Sequence, residues 1–258
     1  KSNAYMRGPK KGPKGWYHLL WMWRNTPDVA TNHDLSYARS RDLLHWENAG
    51  GEKLALPITP ADTETIIDPV PVKGGLHNSN HHFGFDSQDR FVATYYKHDD
   101  NGDTQAYAAR FENGAWNIRK ISDWDGRHIF RGGGSGPSTF GTSLSVRGPR
   151  IHGPNTLAVP FRHWKAGSGV LVIDEETLAP LRAQPQAKRP PRFPPALQKP
   201  RSDFPGIRVR WRGDTGSSPH PDSRYVLRWE SLGSNRDRPR KPPLPEKAPL
   251  VLYRLKNQ

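Results

Sequence analysis

Short runs rich in aromatic and β-branched residues, bounded by turn residues, recur along the chain. Residues 16–23 read Trp-Tyr-His-Leu-Leu-Trp-Met-Trp and follow the turn Gly12-Pro13-Lys14. Residues 90–98 carry Phe91, Val92, Thr94, Tyr95 and Tyr96 after the turn Asp86-Ser87-Gln88-Asp89. Residues 156–164 follow Gly153-Pro154-Asn155, and residues 224–230 make a fourth run. The partial alternation and the punctuation at both ends predict β-strands. Each run is followed, about a dozen residues on, by a second predicted strand, at 35–39, 105–111, 169–174 and, after a longer gap, 250–255. A third strand, at 116–121, joins the second unit. The units repeat about every 65–75 residues, and no amphipathic helical pattern intervenes. Similar antiparallel units, each with an aromatic opening, predict an all-β chain, a β-propeller or a large sandwich.

Composition sharpens this picture. Only 33% of the 258 residues are hydrophobic, but nine are Trp, and large rings bury enough area to build a core. With 24 Gly and 26 Pro no heptad survives, so a coiled coil is excluded. No run of about 18 apolar residues occurs, which excludes a transmembrane helix. The absence of Cys excludes a disulfide scaffold, Cys-ligated zinc and thiol catalysis. Two Pro-rich stretches, near 183–205 and 239–249, are expected to be ordered insertions that hold neither helix nor central strand.

The net charge of +14 points to a polyanionic partner, either nucleic acid or an acidic polysaccharide. The basic stretches 188–192 and 236–241 are broken by Pro and lack interleaved stacking aromatics, which argues against nucleic acid. Histidines are the densest chemical signal. His77, His81, His82 and His98 surround one turn and one strand, His163 ends a later strand beside Arg162, and His33 stands at the start of an earlier one. Three readings stay open: a metal site of His77, His81 and His82, acid–base chemistry, and packing. The Gly-rich loop 131–135 lacks the helix a phosphate loop needs, and Trp124 before it is a candidate stacking platform for a sugar ring. Ser40-Arg41-Asp42-Leu43-Leu44-His45-Trp46 has the side chains of a structural turn, with Ser and Asp bonding backbone groups and Trp packing between sheets. It is similar to the Asp-box turns of sialidase-like repeats.

Several segments recur together: Asn3-Ala4-Tyr5-Met6-Arg7-Gly8-Pro9, Thr26-Pro27-Asp28, Thr31-Asn32-His33-Asp34-Leu35, Phe85-Asp86-Ser87-Gln88, Ser122-Asp123-Trp124-Asp125, Ser202-Asp203-Phe204-Pro205-Gly206 and the strand 225–230. As a set they resemble the BNR-repeat-containing proteins, a group with ulvan lyases, rhamnose–glucuronate lyases and an α-L-rhamnosidase. The resemblance implies a seven-bladed β-propeller. Residues 1–258 would then be a single propeller domain or the C-terminal portion of one. It implies an acidic polysaccharide substrate and a lyase that cleaves rhamnose–glucuronate linkages by β-elimination. A carbohydrate-binding propeller without catalysis and a glycoside hydrolase are the alternatives. His77 and His98 match a histidine pair of the lyases. The resemblance therefore implies His77 or His98 as base, Tyr96 or His98 as acid, Arg162 as carboxylate clamp and Arg210 as its helper. His33, His163 and Trp124 complete the expected substrate contacts. No cofactor is expected to be required, a structural divalent ion is left open, no membrane contact is expected, and secretion or a periplasmic location follows by analogy.

Overall fold

The computed structural model describes residues 2–78, 80–133, 138–140, 143–185, 193–213, 220, 222–235 and 239–256; side chains at 138–140 are not described. The basic stretch 188–192, the loop positions 134 and 135, and residues 236–238 therefore lie outside the described residues. The chain is all-β and divides into two compact units, Lys1–Ala187 and Lys188–Gln258.

The first unit holds three main antiparallel sheets. The first contains β1 (Asn3–Lys11), β2 (Tyr17–Arg24), β3 (Asn32–Ser40), β4 (Trp46–Glu47) and β5 (Lys53–Leu54) in that order, with β6 (Ile66–Asp68) paired to β3. The second is a four-stranded meander of β7 (His82–Phe85), β8 (Phe91–His98), β9 (Thr104–Glu112) and β10 (Ala115–Lys120). A two-stranded ribbon follows, β11 (Phe130–Gly132) with β12 (Ser138–Phe140). In the third sheet β13 (Leu144–Val146) and β14 (Arg150–Gly153) both pair with β15 (Thr156–His163), which continues to β16 (Gly167–Asp174) and β17 (Pro180–Pro185). The aromatic runs in the sequence are β2, β8 and β15, in each case the strand after the sheet's leading edge. They are central and covered on both faces, which is why they read as nearly continuous apolar segments.

Two buried clusters join the sheets. Leu20, Met22, Leu35, Ile67, Tyr95 and Ala109 pack the first sheet on the second. Val92, Ala108, Ile121, Val146, Val159 and Ile173 pack the second on the third. Polar latches cross the same seams. Tyr95 Oη donates to Asp68 Oδ2 at 2.5 Å, and Lys97 Nζ lies 2.7 Å from the same carboxylate. Arg110, with 1% of its side chain exposed, donates to Asp86 Oδ2 (3.2 Å), to Glu112 Oε1 (2.6 Å), to the Glu175 carbonyl (2.5 Å) and to the Glu176 carbonyl. The turn at 40–46 forms as its residues predict: Ser40 Oγ accepts from Leu43 N at 2.8 Å, and Asp42 Oδ1 accepts from Leu44 N and His45 N.

The second unit is a three-stranded antiparallel sheet, β18 (Ile207–Gly213), β19 (Ser223–Leu232) and β20 (Val251–Lys256). Arg228 is buried and donates to the carbonyls of Leu197 (3.0 Å) and Lys199 (2.8 Å), anchoring the described part of the first Pro-rich stretch to β19. That stretch corrects one expectation. It contains the end of β17 and a helical turn at Pro195–Gln198. Both obey the limits on proline: β17 is a sheet edge, and Pro195 occupies the first helical position, where no N–H is needed.

Candidate functional site

His77, His98, His128 and His163 gather around the end of one strand. Strand β8 runs from Phe91 to His98 and places Tyr96 and His98 at its finish, while the loop before β7 carries His77. The ring of His77 lies parallel to that of Tyr96, with centroids 6.3 Å apart, and its Nδ1 accepts from Asn80 Nδ2 at 3.0 Å. A neutral His77 thus carries its proton on Nε2. His98 Nδ1 is 2.9 Å from Thr104 Oγ1, and that hydroxyl also accepts from the backbone N–H of His128 at 2.8 Å. Gly75, at φ +96°, brings its backbone against the His98 ring, where any side chain would collide.

His128 stands at the centre of this group. It touches Tyr96, Phe130 and Trp164 at centroid distances of 5.8, 5.5 and 6.0 Å, and its charge opposes protonation of His77, His98 and His163. His163 Nδ1 accepts from the backbone N–H groups of Lys165 and Ala166, and its ring stacks on Trp164 at 3.8 Å and on Trp124 at 4.7 Å. Burial, aided by neighbouring cations, pushes His77, His98 and His163 down to about 4. His128 is also lowered by burial. The cluster is therefore neutral at physiological pH and able to accept protons. Burial raises the Tyr96 phenol well above its usual range, with the Asn80 side chain opposing the rise.

Among the described residues, five of the seven buried side-chain N and O atoms without a hydrogen-bond partner belong to Tyr96, His163, His81 and His82. Such atoms are costly in a fold, and their concentration here makes this region the candidate site. His81 is fully buried and is pushed down to about 3, chiefly by burial, with Arg7, His82 and His77 adding to the shift; the Leu20 backbone beside it favours protonation without reaching hydrogen-bond geometry.

Of the residues expected from the sequence, the structure brings His77, Tyr96, His98 and His163 together. Tyr96 is 1% exposed, so its hydroxyl supports the cluster from behind and cannot serve as a surface acid. Trp124 is a packing residue rather than an open platform, because His163 covers its face and Phe161 lies 5.2 Å away. Its edge contributes to a groove of about 620 Å³ lined also by Phe161, Ser168 and Pro180. Arg162 is exposed on the face of β15 opposite Phe161 and His163, since successive strand residues point to opposite sides. The cations that act on this cluster are instead Arg24, on His77, the exposed Arg127, on His98, and Lys165, on His163. His33 is tied at both ring nitrogens, to Asp34 and Asn25 at 2.8 Å each. Arg210 belongs to the second unit, where it bonds Ser231 Oγ and the Leu232 carbonyl. Among the described residues no three His, Asp or Glu side chains converge to hold a metal ion, so His77, His81 and His82 do not form the ligand set considered for them. No described helix is long and apolar enough to cross a membrane.

Residues 1–124 match the BNR repeat-containing family. The matched segment spans the first two sheets and includes His77, Tyr96 and His98, whereas His128 and His163 lie beyond it. No curated protein matches the chain. Among solved structures, an ulvan lyase of polysaccharide lyase family PL25, bound to -[GlcA(1-4)Rha3S]-, is similar with a TM-score of 0.49 and 13% identity over 99% of this chain and 51% of the other. The chain thus spans about half the length of that lyase. An endo-arabinase from Bacteroides thetaiotaomicron is similar with a TM-score of 0.35 and 13% identity, over 95% of this chain and 72% of the other. The GH43 BlXynB protein from Bacillus licheniformis gives a TM-score of 0.34 and 12% identity, over 90% of this chain and 42% of the other.

Proposed function

We propose that the protein is a carbohydrate-active enzyme on an acidic polysaccharide, a lyase that cleaves at a uronate by β-elimination. The observation that carries this reading is the neutral histidine cluster around Thr104 and Tyr96, with the exposed guanidinium of Arg127 acting on His98. Elimination needs a base for the C5 proton, a cation on the carboxylate and an acid at the leaving oxygen. His98 supplies the base: with Nδ1–H donated to Thr104, its Nε2 lone pair takes the C5 proton. The C5–H electron pair becomes the C4–C5 double bond as the C4–O bond breaks. Arg127 stabilises the carboxylate as charge builds on it, in place of the Arg162 expected from the sequence. The His98 imidazolium so formed returns the proton to the departing oxygen, and neutral His77 donates a hydrogen bond to that oxygen from Nε2–H. His163 and Trp164 pack beside His128 at the edge of the cluster.

A β-propeller scaffold is part of the proposal. Successive antiparallel meanders, each with its leading strand at one edge, support it. So is rhamnose–glucuronate as the linkage cut, and action outside the cytoplasm, where such polymers occur.

The test is incubation with a rhamnose–glucuronate polysaccharide while ultraviolet absorbance and reducing ends are followed together. Both rise if the proposal holds, because elimination leaves an unsaturated uronyl end, and His98→Ala and His77→Ala abolish both. Reducing ends without absorbance would replace elimination by hydrolysis. Silence in both signals from the folded protein, with polymer still bound, would refute catalysis altogether.

A further inference from the structure

Strand β8 finishes at His98, beside the histidine cluster, and starts at Phe91; its eight residues hold these ends roughly 23 Å apart. At the Phe91 end, between the first and second sheets, lies a cavity of about 250 Å³. Its lining comes chiefly from the turn before β2, from β2 and β3, from the start of β8 and from the hairpin of β9 and β10. It shares no residue with the histidine cluster.

The walls are aromatic. Trp116 meets Tyr37, Phe91 and Phe111 edge to face, with ring centroids 5.6, 6.3 and 5.5 Å away. The polar groups are few. His18 is 6% exposed; its Nδ1 lies 2.8 Å from Tyr37 Oη, and its Nε2, reached by solvent, has no partner among the described residues. Burial, aided by the Arg39 cation, pushes His18 down to about 4, so the ring is neutral at physiological pH. Either tautomer can bond the Tyr37 hydroxyl, so Nε2 can donate or accept. Arg39 donates from Nε to Glu47 Oε1 at 2.6 Å, and its two terminal nitrogens have no hydrogen-bond partner among the described residues. Asp89 offers a half-exposed carboxylate, 3.9 Å from Lys14 Nζ.

The charged side chains that line the cavity are matched: Arg39 with Glu47, Lys14 with Asp89, and Arg90 with Asp86 and Glu176. No surplus charge calls for an ion. Aromatic walls beside groups that donate and accept hydrogen bonds suit a neutral polyhydroxy ring. Its C–H bonds carry positive hydrogens that meet the negative face of an aromatic ring, and its hydroxyls find Asp89, Arg39 and His18. The volume lies below the about 300–1,000 Å³ of drug-sized sites, which limits the occupant to one ring. We propose that this cavity binds a single neutral sugar residue and so anchors a polysaccharide at a distance from the histidine cluster. That the residue belongs to the polymer being cut rests on the function proposed above; the affinity for a neutral sugar does not.

The experiment measures binding of the full chain to methyl α-L-rhamnoside, methyl β-D-glucoside and methyl β-D-xyloside by saturation-transfer NMR and calorimetry, with methyl β-D-glucuronide as the charged counterpart. At least one neutral glycoside should bind the wild type, and more tightly than the glucuronide. Asp89→Asn, at a φ of +63° that asparagine tolerates, should weaken that binding about tenfold. Trp116→Ala should abolish it and Trp116→Phe recover part of it, with thermal melting to confirm each fold. His98→Ala should bind the glycoside as the wild type does. Failure of every neutral glycoside to bind, tighter binding of the glucuronide, or unchanged affinity in folded Asp89→Asn and Trp116→Ala overturns the site. Loss of binding in folded His98→Ala also overturns it, because the sugar would then lie among the histidines. Glycoside binding in a protein that makes no unsaturated product sustains the site and removes the lyase; unsaturated product without glycoside binding does the reverse.

Discussion

Arg110→Ala tests whether the second and third sheets are held by a buried charge network. The side chain is 1% exposed and Asp86 is fully buried. Truncation leaves Asp86 with Arg90 Nε at 2.7 Å as its remaining cation, leaves Glu112 Oε1 with Arg90 Nη1 at 3.6 Å, and strips the donor from two carbonyls in the turn between β16 and β17. Removing one partner from a buried ion pair costs about 3–5 kcal/mol. Each carbonyl left without a donor adds roughly 1 kcal/mol or more. Retention of Arg90 keeps the total near 4 kcal/mol, or a fall of about 10 °C in Tm for a unit of this size. Urea unfolding followed by Trp fluorescence gives the free energy, and differential scanning calorimetry gives Tm. Arg90→Ala, at a side chain 25% exposed, should cost about 1 kcal/mol in the same assays. A loss below about 1 kcal/mol for Arg110→Ala would refute the latch, because the buried Asp86 would then need no partner.

Thr104→Val should lower kcat about tenfold with little change in KM, since it removes the hydroxyl that fixes both His98 Nδ1 and the His128 backbone, and Thr104→Ser should restore the rate. With His98 pushed down to about 4, kcat/KM should hold as pH falls through 6.5 and drop only near 4; an acid limb at 6.5 or above would contradict the assignment. The same shifts set stability. His77, His81, His98 and His163 are neutral in the fold yet protonate near 6.5 when unfolded, so the unfolding free energy should be greatest above 6.5 and decline as pH falls towards 4, which urea titrations at stepped pH would record. Gly84→Ala should destabilise by roughly 1–3 kcal/mol, read by the same titration, because the added methyl meets the backbone of Pro149 rather than a side chain that can turn away.

The central strands were legible because burial on both faces leaves an uninterrupted aromatic signature: 16–23, 90–98 and 156–164 became β2, β8 and β15. The leading strands were not. β7 is four residues with a central Gly, and β1 is mostly polar, so neither carries a period that propensity can detect. In the site, His77 and His98 stood out by type, whereas His128 was missed because it lies in an irregular loop and is fixed by a hydrogen bond from its backbone to Thr104. Arg162 shows the opposite case. The alternation Phe161, Arg162, His163 already separates the arginine from the histidine, and that period was the signal to use. Arg127, beside His128, has no local pattern; only the return of the chain past Gly102 and Lys73 brings it to His98.

The meander order has a consequence for how the molecule comes into being. Within each sheet most strands pair with their sequence neighbour, so the ladders close over short stretches of chain and lose little loop entropy. A sheet can therefore form while the next is still leaving the ribosome. The Arg110 latch spans two sheets, and the histidine cluster draws on β8, the loop after β10 and β15, so both wait for the third sheet. Backbone pairing in the first two sheets would thus precede the histidine cluster, whose side chains meet only when the third sheet is in place.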